Sequence, residues 1–247
     1  MFSEADAFLD AIFTEPADDT PRLVYADWLE EHGHEDLGQF IRLQCAIDPL
    51  TNDNPRRVGL RQQEKKVWAA LKKRWGAFFE AMGIKKHEFR RGFFTGWVHL
   101  DAGTFFDRYP EGWPWFPIQN LRVRHAAGTA SRFAQAPELI SQVAYLGVGD
   151  NVEPEVLTAL ALVPRMPQIE RLDVAVARLT RTAVEELARA SWIDRVRGVQ
   201  LGDLGFFAGE SKVRRDWWYS PNEGMRPEAR PTVREHLLAW AEQLVDE

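Results

Sequence analysis

Three groups of side chains here have types and spacings that chemistry uses. His32, His34, Glu35 and Asp36 form an imidazole–carboxylate set of the sort that ligates zinc. They flank Gly33 with no second ligand cluster at a matching spacing, so they read as the solvated turn at a helix end. Cys45, the single cysteine, reacts as a thiolate only where its surroundings favour the charge. It follows Phe40 and Ile41 on an apolar helix face and reads as a small core residue. His99, Asp101, His125 and Asp150 are acid–base types that neighbouring strands can bring together. No GxSxG, P-loop, HExxH, CxxC or Rossmann glycine pattern occurs. The expectation is a non-enzymatic chain with no cofactor and no metal.

Charge supplies a second kind of chemistry. Residues 1–36 carry eleven acids against one base, Arg22. Residues 56–74 reverse this, with Arg56, Arg57, Arg61, Lys65, Lys66, Lys72, Lys73 and Arg74 against Glu64 alone. These are either two solvated helix faces that attract each other or a basic helix for an anionic partner, nucleic acid being the candidate.

Helices must position these groups in the N-terminal third. Ser3 can cap a first helix carrying Phe8, Leu9, Ile12 and Phe13, ended by Pro16. Thr20 before Pro21 reads as a cap followed by proline at the first helical position, and Gly33 as the left-handed terminator. A third helix holds Leu37, Phe40, Ile41 and Cys45. Asn54-Pro55 opens a long fourth one with Val67, Trp68, Leu71, Trp75, Phe78, Phe79 and Met82 at helical spacing, closed by Gly83. Asp27 is expected in an ion pair with Arg22 or Arg42.

The remainder is periodic. Apolar-x-x-apolar-x-apolar occurs at Ile118/Leu121/Val123, Val143/Leu146/Val148, Ile169/Leu172/Val174 and Val196/Val199/Leu201, with a degraded copy at Thr95/Val98/Leu100. The steps between the four are 25, 26 and 27 residues, within the leucine-rich range of about 20–29. A strand and a helix per repeat cannot bury their apolar sides alone, so the repeats must stack. Alternation along each strand then turns Trp97, His99 and Asp101 outward on a concave face, with Asn120, Arg122, Arg124, Tyr145, Gly147, Gly149, Arg171, Asp173 and Gln200. Residues 203–231 form a long insertion whose Arg214, Arg215, Trp217, Trp218 and Tyr219 are a second contact candidate or a lid on the last repeat. Thr232-x-x-Glu235 is a capping box before a final helix over 232–246, a cap for the stack.

The fold class expected is therefore α/β. A helical module over 1–86 precedes a short leucine-rich-like solenoid over 87–247. The composition agrees: 247 residues, net charge −6, 45% hydrophobic and 28% charged exclude a disordered, collagen-like or disulfide-framed chain. One cysteine, no basic apolar leader and no apolar run of membrane-spanning length point to the cytoplasm.

Residues 18–44, above all Pro21-Arg22-Leu23-Val24-Tyr25-Ala26-Asp27-Trp28-Leu29-Glu30-Glu31 and Phe40-Ile41-Arg42-Leu43-Gln44, resemble the repeat-companion domain of planctomycetes and related bacteria. Phe89-Arg90-Arg91-Gly92-Phe93 resembles the segment that opens the repeats in such proteins, and Leu37-Gly38-Gln39 departs from the family's usual Ala-Glu. The resemblance implies a repeat-bearing scaffold or regulator and brings no catalytic activity. The reading is protein–protein interaction through the concave face, and through the insertion if it is a contact site. The alternative is a nucleic-acid-associated subunit using the basic helix with Arg90 and Arg91. A third reading, an enzyme, requires a pocket of titratable groups with perturbed pKa values.

Overall fold

Asn54 and Gly83 set the ends of a long helix. The Asn54 side chain accepts from the Arg56 amide at 3.0 Å, and Gly83 closes the other end at a left-handed φ of 67°. Between them lies α4 (Pro55–Met82) in this computed structural model, which describes residues 4–111, 115–207 and 232–244. Two compact units result, Met1–Val98 with Arg108–Gln119, and His99–Asp107 with Asn120–Glu247.

In the first unit, α1 (Glu4–Thr14) packs on α2 (Thr20–Glu31), α2 on α3 (Glu35–Ile47), and α3 on α4. Leu9, Ile12, Tyr25, Leu29, Phe40, Ile41 and Leu71 close the core. The start of α2 corrects one sequence expectation. Thr20 does not cap; Asp18 reaches forward instead, its Oδ1 accepting from the Thr20 amide at 2.9 Å and the Thr20 hydroxyl at 2.8 Å. Pro21 sits in the first turn as its fixed φ favours, and Gly33 ends the helix region at φ 80°. A hairpin of β1 (Phe89–Arg90) and β2 (Phe93–Phe94) follows, turning through Arg91 at φ 52° and Gly92 at φ 87°. Gly92 is required twice over, because a Cβ there would also meet Ile41 Cγ1 at 2.4 Å.

The second unit is built on a six-stranded sheet in sequential order: β3 (Trp97–Asp101), whose first two residues belong to the first unit, β4 (Asn120–Arg124), β5 (Tyr145–Val152), β6 (Arg171–Val176), β7 (Gly198–Leu201) and β8 (Leu204–Phe207). The period read from the sequence becomes register. Leu121, Leu146, Leu172 and Val199 are direct partners on adjacent parallel strands, as are Val123, Val148, Val174 and Leu201. All eight are buried, with α6 (Ala130–Gln135), α7 (Glu155–Ala161), α8 (Arg181–Arg189) and α9 (Val233–Ala241) packing serially on one another. Burial of this shared apolar row contributes about 25 cal/mol for each Å² removed from water. Thr180 caps α8 by accepting from the Ala183 amide at 3.3 Å.

The connections after β3 and β4 hold short helices, α5 (Ala102–Arg108) and α6. The start of the expected insertion is regular as well, since β8 returns antiparallel to β7 around Gly202 at φ 57°. The final helix begins as expected, with the Glu235 amide donating to Thr232 Oγ1 at 3.2 Å and the Thr232 amide to Glu235 Oε2 at 2.7 Å. It ends at Ala241, short of residue 246, with no basic side chain in its last turn to offset the helix dipole. Among the described residues no helix is long and apolar enough to cross a membrane.

Candidate functional site

The open face of the sheet follows from strand alternation. With Val98, Leu100, Leu121, Val123, Leu172 and Val174 buried, Trp97, His99, Asp101, Arg124 and Arg171 are exposed, while Asn120, Arg122, Tyr145 and Asp173 are half-buried. Register aligns these in rows. Asn120, Tyr145, Arg171 and Gly198 form one row; Arg122, Gly147, Asp173 and Gln200 form the next.

The second row carries the electrostatics. Arg122 crosses over Gly147, where a Cβ would lie 3.1 Å from Arg122 Cγ, and its Nη2 reaches Asp173 Oδ2 at 3.5 Å. The Tyr145 hydroxyl donates to the same oxygen at 3.4 Å. Burial pushes the Asp173 carboxyl above the ordinary Asp value, against the opposing pull of Arg122 and Tyr145. Burial, with Asp173 beside it, pushes the Tyr145 phenol up to about 12. Tyr145 therefore stays a neutral donor, and Asp173 is an acceptor that gains from further hydrogen bonds.

A second cluster lies where β3, β4 and β5 end. His125 Nδ1 is 3.0 Å from Asp101 Oδ1, and the His125 amide donates to Asp150 Oδ2 at 3.0 Å. Arg124 Nη2 lies 3.4 Å from the same Asp101 oxygen. His125 holds a left-handed φ of 50°, which its backbone bond to Asp150 supports. Glu153 takes the Gly128 and Ala130 amides at 2.8 and 3.2 Å, which ties the start of α6 to the next connection. Of the four acid–base residues that the sequence set apart, Asp101, His125 and Asp150 thus meet. Among the described residues no group of three His, Cys, Asp or Glu is arranged to hold a metal ion.

Several expected site residues are placed differently. Gln200 is 8% exposed, not outward on a free face: β8 pairs beside β7, and Gln200 Nε2 donates to the Gly202 carbonyl at 2.6 Å. Gly147 and Gly149 are likewise buried, Gly147 beneath Arg122. The 32–36 turn is not simply solvated. His34 is buried, its ring 3.7 Å from Trp115, and burial holds it below the ordinary histidine pKa. His32 stacks on Trp28 at 4.2 Å. Arg214, Arg215, Trp217, Trp218 and Tyr219 lie outside the described residues.

The basic stretch of α4 is divided. Arg61 Nη1 donates to both oxygens of buried Glu64 at 2.9 Å, Arg57 donates to the Leu50 carbonyl, and Arg74 reaches the Gly33 carbonyl at 3.2 Å and Asp36 at 3.6 Å. Arg56, Lys65, Lys66, Lys72 and Lys73 are exposed. Asp27 pairs with Arg42, which also reaches Glu30 at 3.1 Å. Cys45 is buried, and burial raises its thiol to about 12. Sequence reading passed over Gln44, which bridges Glu64 and the Gly92 amide; a glutamine on an otherwise apolar helix face was its one signal.

Comparison with protein-family models, curated proteins and solved structures finds no match of sequence or fold.

Proposed function

We propose that the chain is a non-enzymatic docking protein. In this reading a helical companion module precedes a short leucine-rich-like solenoid, and another protein lies across the open sheet face. The observation that carries it is the Arg122–Asp173–Tyr145 network, seated around Gly147 with exposed Trp97, Arg124 and Arg171 on the same face. Covering half-buried Asp173 with donors from a partner would return the hydrogen bonds that burial removes. Aromatic and arginine side chains in turn supply the anchors that dominate protein interfaces. The resemblance to repeat-companion proteins supports the same scaffold role, in the cytoplasm and without a cofactor.

Photo-crosslinking in the native host tests this. A benzoylphenylalanine at Arg171, on the open face, is expected to give a discrete protein adduct that Arg122→Glu abolishes. The same group at Leu162, 70% exposed after α7, is the control. Equal adducts from both positions would overturn the reading. Exposed Lys65, Lys66, Lys72 and Lys73 favour nucleic acid as the second reading, and salt-steep retention on oligonucleotides would select it.

A further inference from the structure

Away from the sheet, the first unit brings four guanidinium groups to one cleft. Arg57 and Arg61 reach it from the first two turns of α4, Arg90 from β1 and Arg91 from the hairpin turn, around Gln44 and Asp48 at the end of α3. Its cavity volume is about 120 Å³, well below that of sites that enclose a drug-sized ligand, which limits it to a single small anion or the end group of a larger molecule.

The charges there do not balance. Arg61 and Lys86 share Glu64, with Lys86 Nζ at 3.0 Å. Arg90 chelates Asp48 at 3.0 and 3.4 Å, and Arg91 Nη2 meets Asp19 at 2.6 Å. Among the described residues Arg57 meets no carboxylate and uses one of its five N–H groups, toward the Leu50 carbonyl. The Arg91 Nε is buried without a hydrogen-bond partner, 3.9 Å from Asp48 Oδ2, while its Nη groups donate to the Pro16 and Ala17 carbonyls at 2.7 Å. Four guanidiniums and one carboxylate, Asp48, line the cleft, and even with Glu64 and Asp19 counted from beside it the guanidiniums outnumber the carboxylates.

Helix stability does not ask for this arrangement. Arg56 and Arg57 occupy the first turn of α4, where the positive end of the helix dipole disfavours cations and no acid is present to offset them.

We propose that this cleft binds a phosphate monoester. A terminal phosphate is close to a dianion at neutral pH and offers three acceptor oxygens, which suits the surplus of guanidinium over carboxylate charge and the unused donors of Arg57. Planar guanidiniums suit its bidentate recognition. Asp48 holds Arg90 at the edge of the cleft, and Gln44 fixes the floor through its bond to the Gly92 amide. A phosphodiester brings a single charge per phosphate and would have to run along exposed α4 rather than enter the cleft. The monoester can come from a small molecule or from a phosphorylated side chain.

Titration calorimetry of the full chain with inorganic phosphate at constant ionic strength tests the cleft. Saturable one-to-one binding is expected, weakened about tenfold or more by Arg57→Gln and by Arg90→Gln, and unchanged by Lys65→Gln on the same helix. Arg90 is 70% exposed, so its variant retains the fold even if the Arg57 variant does not. Phosphoserine within a neutral peptide binding more tightly than a hexose monophosphate assigns a phosphoprotein source; the reverse order assigns a small molecule. No saturable phosphate binding, equal loss in all three variants, or displacement by an oligonucleotide lacking a terminal phosphate would overturn the proposal. None of these results bears on crosslinking at the open sheet face.

Discussion

Gln44 Nε2 donates to Glu64 Oε1 at 3.0 Å, and that carboxylate is 1% exposed. The same glutamine accepts from the Gly92 amide at 2.8 Å, so one side chain joins α3, α4 and the hairpin turn. Burial would raise the Glu64 pKa, but hydrogen bonds from Arg61, Gln44 and Lys86 together bring it below the ordinary glutamate value.

Gln44→Ala leaves a buried amide and a buried carboxylate each short of a partner. A loss of about 2–4 kcal/mol is expected from two such groups, read by urea unfolding. A change below about 0.5 kcal/mol would show that the bridge is dispensable.

Glu64 makes the fold acid-sensitive. Its folded pKa lies below its unfolded one, so its stabilisation is present above the unfolded value and disappears as pH falls through the folded value. Melting temperature is expected to drop on acidification below the ordinary glutamate range, and Glu64→Gln should flatten that part of the profile. An identical profile in the variant would assign the acid sensitivity to other carboxylates.

Asp173 has the opposite sign. Its folded pKa is raised, so ionisation at neutral pH works against the fold, and the penalty fades as pH falls from the folded toward the unfolded value. Asp173→Asn is expected to leave stability unchanged or improved while it removes crosslinking at residue 171. Gly147→Val should push Arg122 aside and raise the Asp173 midpoint further, as seen in its carboxyl carbon shift by NMR. A midpoint that falls would contradict the Arg122 contact.

Gly92→Ala places a Cβ against Ile41 at a left-handed φ. Destabilisation of about 2 kcal/mol or more is expected by thermal unfolding, since the methyl meets both backbone strain and the α3 chain. A neutral outcome would mean that the hairpin turn sits further from α3.

Cys45 should resist alkylation in the native state at pH 8, because burial raises its thiol to about 12. Iodoacetamide labelling that follows global unfolding in urea is expected; fast native labelling would place the thiol at the surface.

The strand row was legible because alternation and period are local properties. Leu121, Leu146, Leu172 and Val199 can be picked out one by one, and shared burial forces them into register. The cap of α4 at Asn54, its stop at Gly83 and the Thr232–Glu235 box are legible for the same reason, since each satisfies helix-end groups within a few residues. Thr20 failed as a cap because its hydroxyl and amide both donate back to Asp18 Oδ1, and the helix starts one residue earlier with Asp19 at the cap position, a choice that the spacing does not reveal.

The order of residues by itself determined which positions face inward, where most described helices start and stop, and that one stretch of the chain is rich in bases. Tertiary structure alone decided that Gln200 is covered beside β8, that Arg122 lies over Gly147 toward Asp173, that His125 falls between Asp101 and Asp150, and that four arginines from α4 and the hairpin share a cleft with Asp48. The physical reason is distance along the chain: caps and alternation are settled within a turn or a strand, whereas these meetings join side chains from separate elements and depend on how every intervening element packs.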